Sequence, residues 1–303
     1  MSSPLRISVI IPHLNQPDFL RRCLTSLAQG TRQPDEIFVV DNGSDTLPEA
    51  VVENFEGVEL LREPTPGPGP ARNCGVEEST GDILAFIDAD CLADPDWLAQ
   101  IEQTFVRTTD AEILGGDVRI AYQDPDQLTV LEAYESVYAY RMDRYIAREG
   151  FTGTGNLATR RQIYEAVGPF GGLDVAEDRD WGQRATGAGH DLRYVPGMKV
   201  YHPARQTFLE LKQKWDRHTA HDYALFRARS FGRVKWLARS LAMAVSPLVE
   251  GLRIAKSDRI TGLRARLLAI WGVTRIRLYR ARIMLALLIS DDPDALTGRW
   301  NRG

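Results

Sequence analysis

The sequence is poor in cysteine and has no long apolar run. Its three cysteines, Cys23, Cys74 and Cys91, lie 51 and 17 positions apart in 303 residues. That spacing fits no zinc pattern. An odd count without a secretory signal points to a reducing compartment. A membrane-spanning helix needs about 20 apolar residues. The longest uncharged stretches of the last hundred or so residues are 240–249, 267–274 and 283–290, of ten, eight and eight residues. No span is expected. Near the start, one basic residue, Arg6, precedes the six-residue run Ile7–Pro12. That is too short for the apolar core of a signal peptide, so the chain is expected in the cytoplasm. No Ser/His or Cys/His constellation marks a covalent nucleophile. No nucleic-acid-binding motif is present either.

What remains is a globular composition, 44% hydrophobic and 26% charged, with charge sorted along the chain. Residues 1–200 carry 17 Lys and Arg against 33 Asp and Glu, a net of −16. Residues 201–303 carry 20 against 8, a net of +12. An acidic front and a basic tail imply different partners.

The front reads as alternating strands and helices. Ile7–Pro12 is a buried strand, and a helix with apolar residues at Phe19, Leu20, Cys23, Leu24 and Leu27 follows. Glu36–Val40 is a second strand, ending in the turn Asp41-Asn42-Gly43-Ser44-Asp45. A helix is expected over 47–55 and a short strand over 57–61. The order βαβαβ implies a parallel sheet with right-handed crossovers. Residues 63–70, with four prolines and two glycines, read as a loop leading to a helix that starts near Ala71-Arg72-Asn73. Ile83–Ile87 is an unbroken apolar run, as suits a strand covered on both faces. Asp88-Ala89-Asp90 follows it. Alternation along a strand would turn both carboxylates to one side, and such oxygen ligands suit Mg²⁺ or Mn²⁺. A helix is expected from Pro95 to about Val106, a strand over 111–120, and one long helix over 127–147. The loop Phe151–Ala158 contains Gly153 and Gly155, where backbone can approach a ligand. A helix near 161–167 follows, then the acidic pair Glu177-Asp178. Two strands, 192–196 and 198–201, lead to His202.

Taken together these pieces resemble the family-2 glycosyltransferases with a GT-A fold. The residues that carry the resemblance are the strand Ile7–Pro12, the turn Val40–Asp45, Ala71-Arg72-Asn73, Asp88-Ala89-Asp90, Gly153-Thr154-Gly155-Asn156, Glu177-Asp178 and His202. The resemblance implies an α/β fold with a Rossmann-like, mostly parallel sheet over residues 1–204. It also implies a nucleotide-diphospho-sugar donor, UDP-linked by default. Asp41 and Asp88 would meet the nucleoside, with Pro12 and Asn15 beside the base and Arg72 near the phosphates. Gly153, Gly155, Asn156 and Glu177 would approach the donor sugar. Asp90 and His202 would hold Mn²⁺ or Mg²⁺. Asp178 would act as the general base of an inverting transfer to an acceptor hydroxyl. Polymerising relatives carry Gln-x-x-Arg-Trp after the acidic pair. Here only Gln213-Lys214-Trp215-Asp216-Arg217 is found, which favours addition of a single sugar.

Residues 205–303 lie outside the resemblance and read as a helical, basic region. Leu263, Leu267, Ile270, Leu278, Ala281 and Leu285 share one helical stripe, flanked by Arg264, Arg266, Arg275, Arg277, Arg280 and Arg282. That pattern suits a helix lying on an anionic membrane surface, with a lipid-linked acceptor in reach. The bland alternative is a helical subdomain that packs on protein. At the level of function, the alternative is a nucleotide-sugar-binding scaffold without catalysis.

Overall fold

A computed structural model of the chain describes residues 5–227 and 230–292. In chain order the elements are β1 (Ile7–His13), α1 (Pro17–Ala28), β2 (Glu36–Asp41), α2 (Glu49–Val52), β3 (Val58–Arg62), α3 (Pro68–Glu78), β4 (Ile83–Ile87), β5 (Leu92–Ala93), α4 (Trp97–Arg107) and β6 (Ile113–Ala121). Then come α5 (Val130–Tyr138), α6 (Met142–Glu149), β7 (Asn156–Arg160), α7 (Arg161–Val167), α8 (Glu177–Gly187) and β8 (Leu192–Pro203). The chain continues through α9 (Phe208–Arg227), α10 (Gly232–Val245), α11 (Pro247–Ala255) and α12 (Leu263–Ser290).

The chain divides into two compact units. One comprises residues 1–121 and 140–203, the other 122–139 and 204–303. The expected boundary after 204 falls within a residue of the second crossing, but 122–139 groups with the later helices. Residues 293–303 of the expected tail lie outside the described residues.

The first unit is built on one eight-stranded sheet in the order β3-β2-β1-β4-β7-β6-β8-β5. β1, β2, β3 and β4 are mutually parallel, as the βαβ pattern requires. β7 runs against both β4 and β6, and β6 is parallel to β8. Alternation explains the double-sided core. Ile7, Val9 and Ile11 with Ile83, Ala85 and Ile87 face one apolar layer that includes Leu24, Ile101 and Phe105. Ile10, Leu84 and Phe86 face the other, with Ile163, Tyr164 and Trp181. Each Val, Leu, Ile or Phe side chain so removed from water is worth roughly 1.5–3 kcal/mol.

Several elements differ from the sequence reading. α3 starts at Pro68, earlier than expected, because proline suits a helix's first turn. The single helix over 127–147 is two. A capping box of Thr129 and Glu132 fixes the start of α5, and the chain breaks at Tyr140, whose φ is +48°. The two strands before His202 form one strand, β8. Gly116 of β6 pairs with Val195 and Asp117 with Lys199, so the irregularity takes up residues 196–198. β5 and β7 were not expected.

In the second unit, Leu131, Tyr134 and Val137 of α5 pack with Leu211, Ile254, Val273 and Ile276. Tyr223, Trp236, Met243, Met284 and Leu287 form a further cluster. The Trp236 indole N–H donates to the Met284 carbonyl at 2.9 Å.

Candidate functional site

Ligands of open α/β sheets gather beyond the carboxyl ends of the strands. Asp41 ends β2, Asp88 follows β4, and the Gly153–Gly155 loop precedes β7 at the edge where Asn156 pairs with Ile87. His202 lies near the end of β8. Asp88 and Asp90 follow the end of β4 in a turn, so strand alternation does not orient them. What brings Asp90 to His202 is β5. This two-residue strand pairs antiparallel with β8, Leu92 opposite Tyr201 and Ala93 opposite Val200. Continued by one residue, that register sets Cys91 against His202. The Asp90 Oδ2 lies 3.3 Å from His202 Nε2.

His202 is oriented by its neighbours. Its Nδ1 is 2.7 Å from the Pro203 carbonyl, to which only an N–H can donate. In the neutral ring that leaves the Nε2 lone pair on the Asp90 side. The Tyr140 hydroxyl lies 3.1 Å from both ring nitrogens, and the two rings sit 4.6 Å apart. Cys91 completes a cluster of three potential ligand atoms within 4.8 Å of one another. Burial pushes its thiol well above the usual range, and Asp88 and Asp90 push it further. A thiol so held is a poor ligand. Burial also raises Asp90; the nearby His202 lowers it and Asp88 raises it again. A carboxylate that burial pushes towards neutrality and an imidazole nitrogen beside it fit a hard or borderline divalent ion.

Arg72 is the centre of the second cluster. It is 2% exposed. Its Nη2 donates to Asp88 Oδ1 at 2.6 Å and its Nη1 to Glu177 Oε1 at 3.1 Å. The Nε is buried without a hydrogen-bond partner. The expected phosphate contact is thus occupied by two carboxylates. Its neighbour Asn73 braces the segment that precedes α8. Asn73 holds the Phe170 amide and carbonyl at 2.9 and 3.0 Å, and the Tyr164 hydroxyl at 2.8 Å. Gly155 is required by Asp88: a Cβ there would stand 2.5 Å from Asp88 Oδ2. Gly153 lies over Met142, whose sulfur its amide meets at 3.3 Å.

Asp178 lies one residue into α8, beside Glu177. Its Oδ1 accepts the Arg179 amide at 2.7 Å. Burial raises its pKa; that amide lowers it, Glu177 raises it, and Arg72 and Asp88 add smaller opposing effects. The helix N-terminus alone would favour the charged form. Burial and two neighbouring acids outweigh it.

Two expected donor residues are committed to the fold. Asp41 is 2% exposed. Its Oδ2 meets His13 Nδ1 at 2.9 Å, and its Oδ1 accepts the Gly43 and Ser44 amides at 3.2 and 3.0 Å. Burial raises its pKa, but hydrogen bonds from Ser44 and His13 leave it lowered. Asp41 therefore holds the 41–45 turn and the His13 ring. Asn156 is fully buried. It accepts the Trp97 indole N–H at 2.9 Å and donates to the Asp117 and Met198 carbonyls, both at 3.0 Å. It closes the irregularity between β6 and β8. Pro12 is half-buried inside β1, paired with Val40. Asn15 is exposed, and its φ of +52° places it in the left-handed region. Its amide donates to Ser44 Oγ at 2.8 Å and its Oδ1 accepts the Asp45 amide at 2.9 Å. The loops after β1 and β2 are thus stitched side by side. His13, Tyr140 and Cys91 were missed as site residues. The only signal for His13 and Cys91 was adjacency to Pro12 and Asp90.

The arginines of α12 divide. Arg264, Arg275 and Arg282 are exposed. Arg280 is buried over the Trp215 ring, 3.7 Å from its centroid, and burial brings its pKa down to about 10. Arg277 reaches Glu250 at 2.9 Å. Arg266 Nε is buried, and Arg275 covers Phe208. The expected basic flank is therefore partly core.

A family model described as Glycosyl transferase family 2 matches residues 8–168. Glycosyltransferase AglE of Haloferax volcanii is 35% identical over 216 residues, 69% of this chain and 70% of that protein. Succinoglycan biosynthesis protein ExoW of Rhizobium meliloti is 33% identical over 124 residues, 37% of this chain and 39% of that one. Among solved structures, mannosyltransferase PcManGT from Pyrobaculum calidifontis, in complex with GDP-Man and Mn²⁺, gives a TM-score of 0.56 at 18% identity. The match covers 100% of this chain and 89% of that chain. Glucosyl-3-phosphoglycerate synthase from Mycobacterium tuberculosis, in complex with Mg²⁺ and UDP, gives 0.51 at 20% identity, over 68% of this chain and 74% of that one. At these identities the structural likeness is one of fold.

Proposed function

The chain belongs to glycosyl transferase family 2 and has a GT-A fold, and from this premise we propose that it moves one hexose from a nucleotide-diphospho-sugar to an acceptor hydroxyl with inversion. The observation that carries the reading is the gathering of Asp88, Glu177 and Asp178 around the buried Arg72. Three acids and one arginine from three distant segments converge beyond the carboxyl end of β4, where a ligand is expected.

In this reading the nucleoside lies against the stitched loops after β1 and β2, with Pro12 and Asn15 beside the base. Asp41 acts on it through the turn that it holds. Arg72 keeps Asp88 and Glu177 in place and offsets their charge, so Asp88 meets the ribose side of the donor and Glu177 orients the sugar. The absence of a side chain at Gly155 leaves room for the Asp88 carboxylate. A bound Mn²⁺ or Mg²⁺ at Asp90 and His202 would supply positive charge against the donor's diphosphate. Asp178 accepts the proton of the attacking acceptor hydroxyl. A single displacement without a covalent enzyme intermediate inverts the anomeric carbon. The donor is UDP-linked by default. The acceptor is a membrane-proximal, lipid-linked hydroxyl in cell-surface glycan or glycolipid synthesis. The basic C-terminal helices hold the enzyme at the anionic cytoplasmic face of a membrane. No helix among the described residues is long and apolar enough to cross one.

A panel of nucleotide-sugars, each assayed with Mn²⁺, Mg²⁺ or a chelator, tests the reading through release of nucleoside diphosphate. One donor is expected to turn over with metal and to stop with chelator. Donor binding without turnover on any acceptor would instead point to a scaffold.

A further inference from the structure

The exposed large apolar side chains of this protein are concentrated in its later helices, and their most continuous row is not on α12. Val234, Leu237, Leu241 and Val245 of α10 are all exposed. Spaced by three or four, they share one helical face. Across the Ser246-Pro247 junction Leu248 and Leu252 of α11 continue the spacing, 86% and 71% exposed. The opposite face of α10, at Gly232, Trp236, Ser240 and Met243, is buried. The helix thus has a satisfied inner face and an apolar outer face that is exposed among the described residues. Phe231, at the head of α10, is 79% exposed, with a φ of +57° that bulky residues rarely adopt.

Charge identifies what this face meets. From residue 231 to 252 the only acid is Glu250. It is buried, bound by the Tyr138 hydroxyl at 2.8 Å and by Arg277 at 2.9 Å. Arg233 and Lys235 are exposed and lie on either side of the row on the helical wheel; Arg233 also reaches Asp291 at 3.5 Å. Within 231–252 the row is therefore apolar with a basic rim and no exposed acid; from outside that segment Asp291 reaches the rim, paired with Arg233. A second copy docked face to face would press that basic rim onto itself. Anionic headgroups over acyl chains complement both components. α12 fits the role less well, because Arg266, Arg277 and Arg280 turn inward.

We propose that α10 and α11 are the membrane-seating element, with Val234, Leu237, Leu241, Val245, Leu248 and Leu252 entering the interface of an anionic bilayer. This rests on the reading that the basic helices meet a membrane, and it names where they do so.

The test is sedimentation of the full chain with vesicles of phosphatidylcholine alone or mixed with phosphatidylglycerol. Three proteins are compared: wild type, Leu241→Glu/Leu248→Glu, and Leu267→Glu/Leu278→Glu on α12. All four positions are exposed, so both variants should melt as wild type does. Wild type is expected to sediment with the anionic vesicles only. The α10–α11 variant should lose on the order of tenfold or more in partitioning, since each seated leucine carries much of the affinity. The α12 variant should partition as wild type. Loss confined to the α12 variant would overturn the inference while leaving the membrane reading intact. No sedimentation of wild type would overturn both. A dimer of wild type that the α10–α11 variant dissolves, with no vesicle binding, would assign the face to a second copy and also overturn the proposal.

Discussion

Asp178 shows how a residue's chemistry can run against its local position. The first turn of a helix favours a carboxylate, yet burial, followed by Glu177 and Asp88, holds its pKa above the usual value of 3.8. As a general base it works only when ionised. The acid limb of the pH–rate profile is therefore expected above the range of an ordinary aspartate. The same shift has a sign for stability. An acid raised in the folded state contributes stability below its unfolded pKa, and that contribution is lost as pH rises through the folded pKa. Asp178→Asn should melt above wild type at neutral pH, with the gap closing as pH falls towards 3.8. A wild-type melting advantage at neutral pH would contradict this. At this scale the sequence named residue types better than roles. The motifs marked Asp88, Glu177 and Asp178, but nothing in them showed that Arg72 would be buried against two of these acids. Nor did they show that Asp41 and Asn156 would be spent on His13, two amides, an indole and two carbonyls. Hydrogen-bond partners of buried groups are set by tertiary contact, which residue order does not display.

Among the elements, those with continuous apolar runs and clear turns were legible: β1, β2, β4 and their helices. β7, Asn-Leu-Ala-Thr-Arg, has no such run. It becomes a strand because β4 and β6 offer edges on either side. β5 has two residues, too few for any periodicity, yet it sets Asp90 beside His202. The long helix expected over 127–147 had continuous periodicity but breaks at Tyr140, whose ring lies against His202. Local pattern lost there to a tertiary contact. Asn156 joins three elements, and its loss should be felt in all of them. Asn156→Ala takes the acceptor from the Trp97 indole N–H and one donor from each of two buried carbonyls. Unpaired buried groups of this kind cost about 1–3 kcal/mol each, so urea denaturation should show a loss of roughly 2–4 kcal/mol after partial relaxation. A loss below about 0.5 kcal/mol, the range of a plain surface substitution, would show that the irregularity in β8 closes without it.

For the whole molecule, charge sorting was the most legible feature and the detailed boundary the least. The swing from −16 to +12 marks a basic C-terminal part, but no compositional change announced that 122–139 would join it. Helical periodicity on α12 likewise could not say which arginines would face water. Arg280 stacks on Trp215 instead. The central claim concerns the first unit: one acid takes the proton while others seat the donor. It is tested most directly by Asp178→Asn in the full chain, with donor affinity measured by calorimetry and turnover by nucleoside diphosphate release, both with Mn²⁺. Donor affinity should stay within about threefold of wild type while kcat falls by roughly 10²–10⁴, the usual range for a lost general base. Turnover equal to wild type, or a loss explained wholly by weaker donor binding, would contradict the assignment.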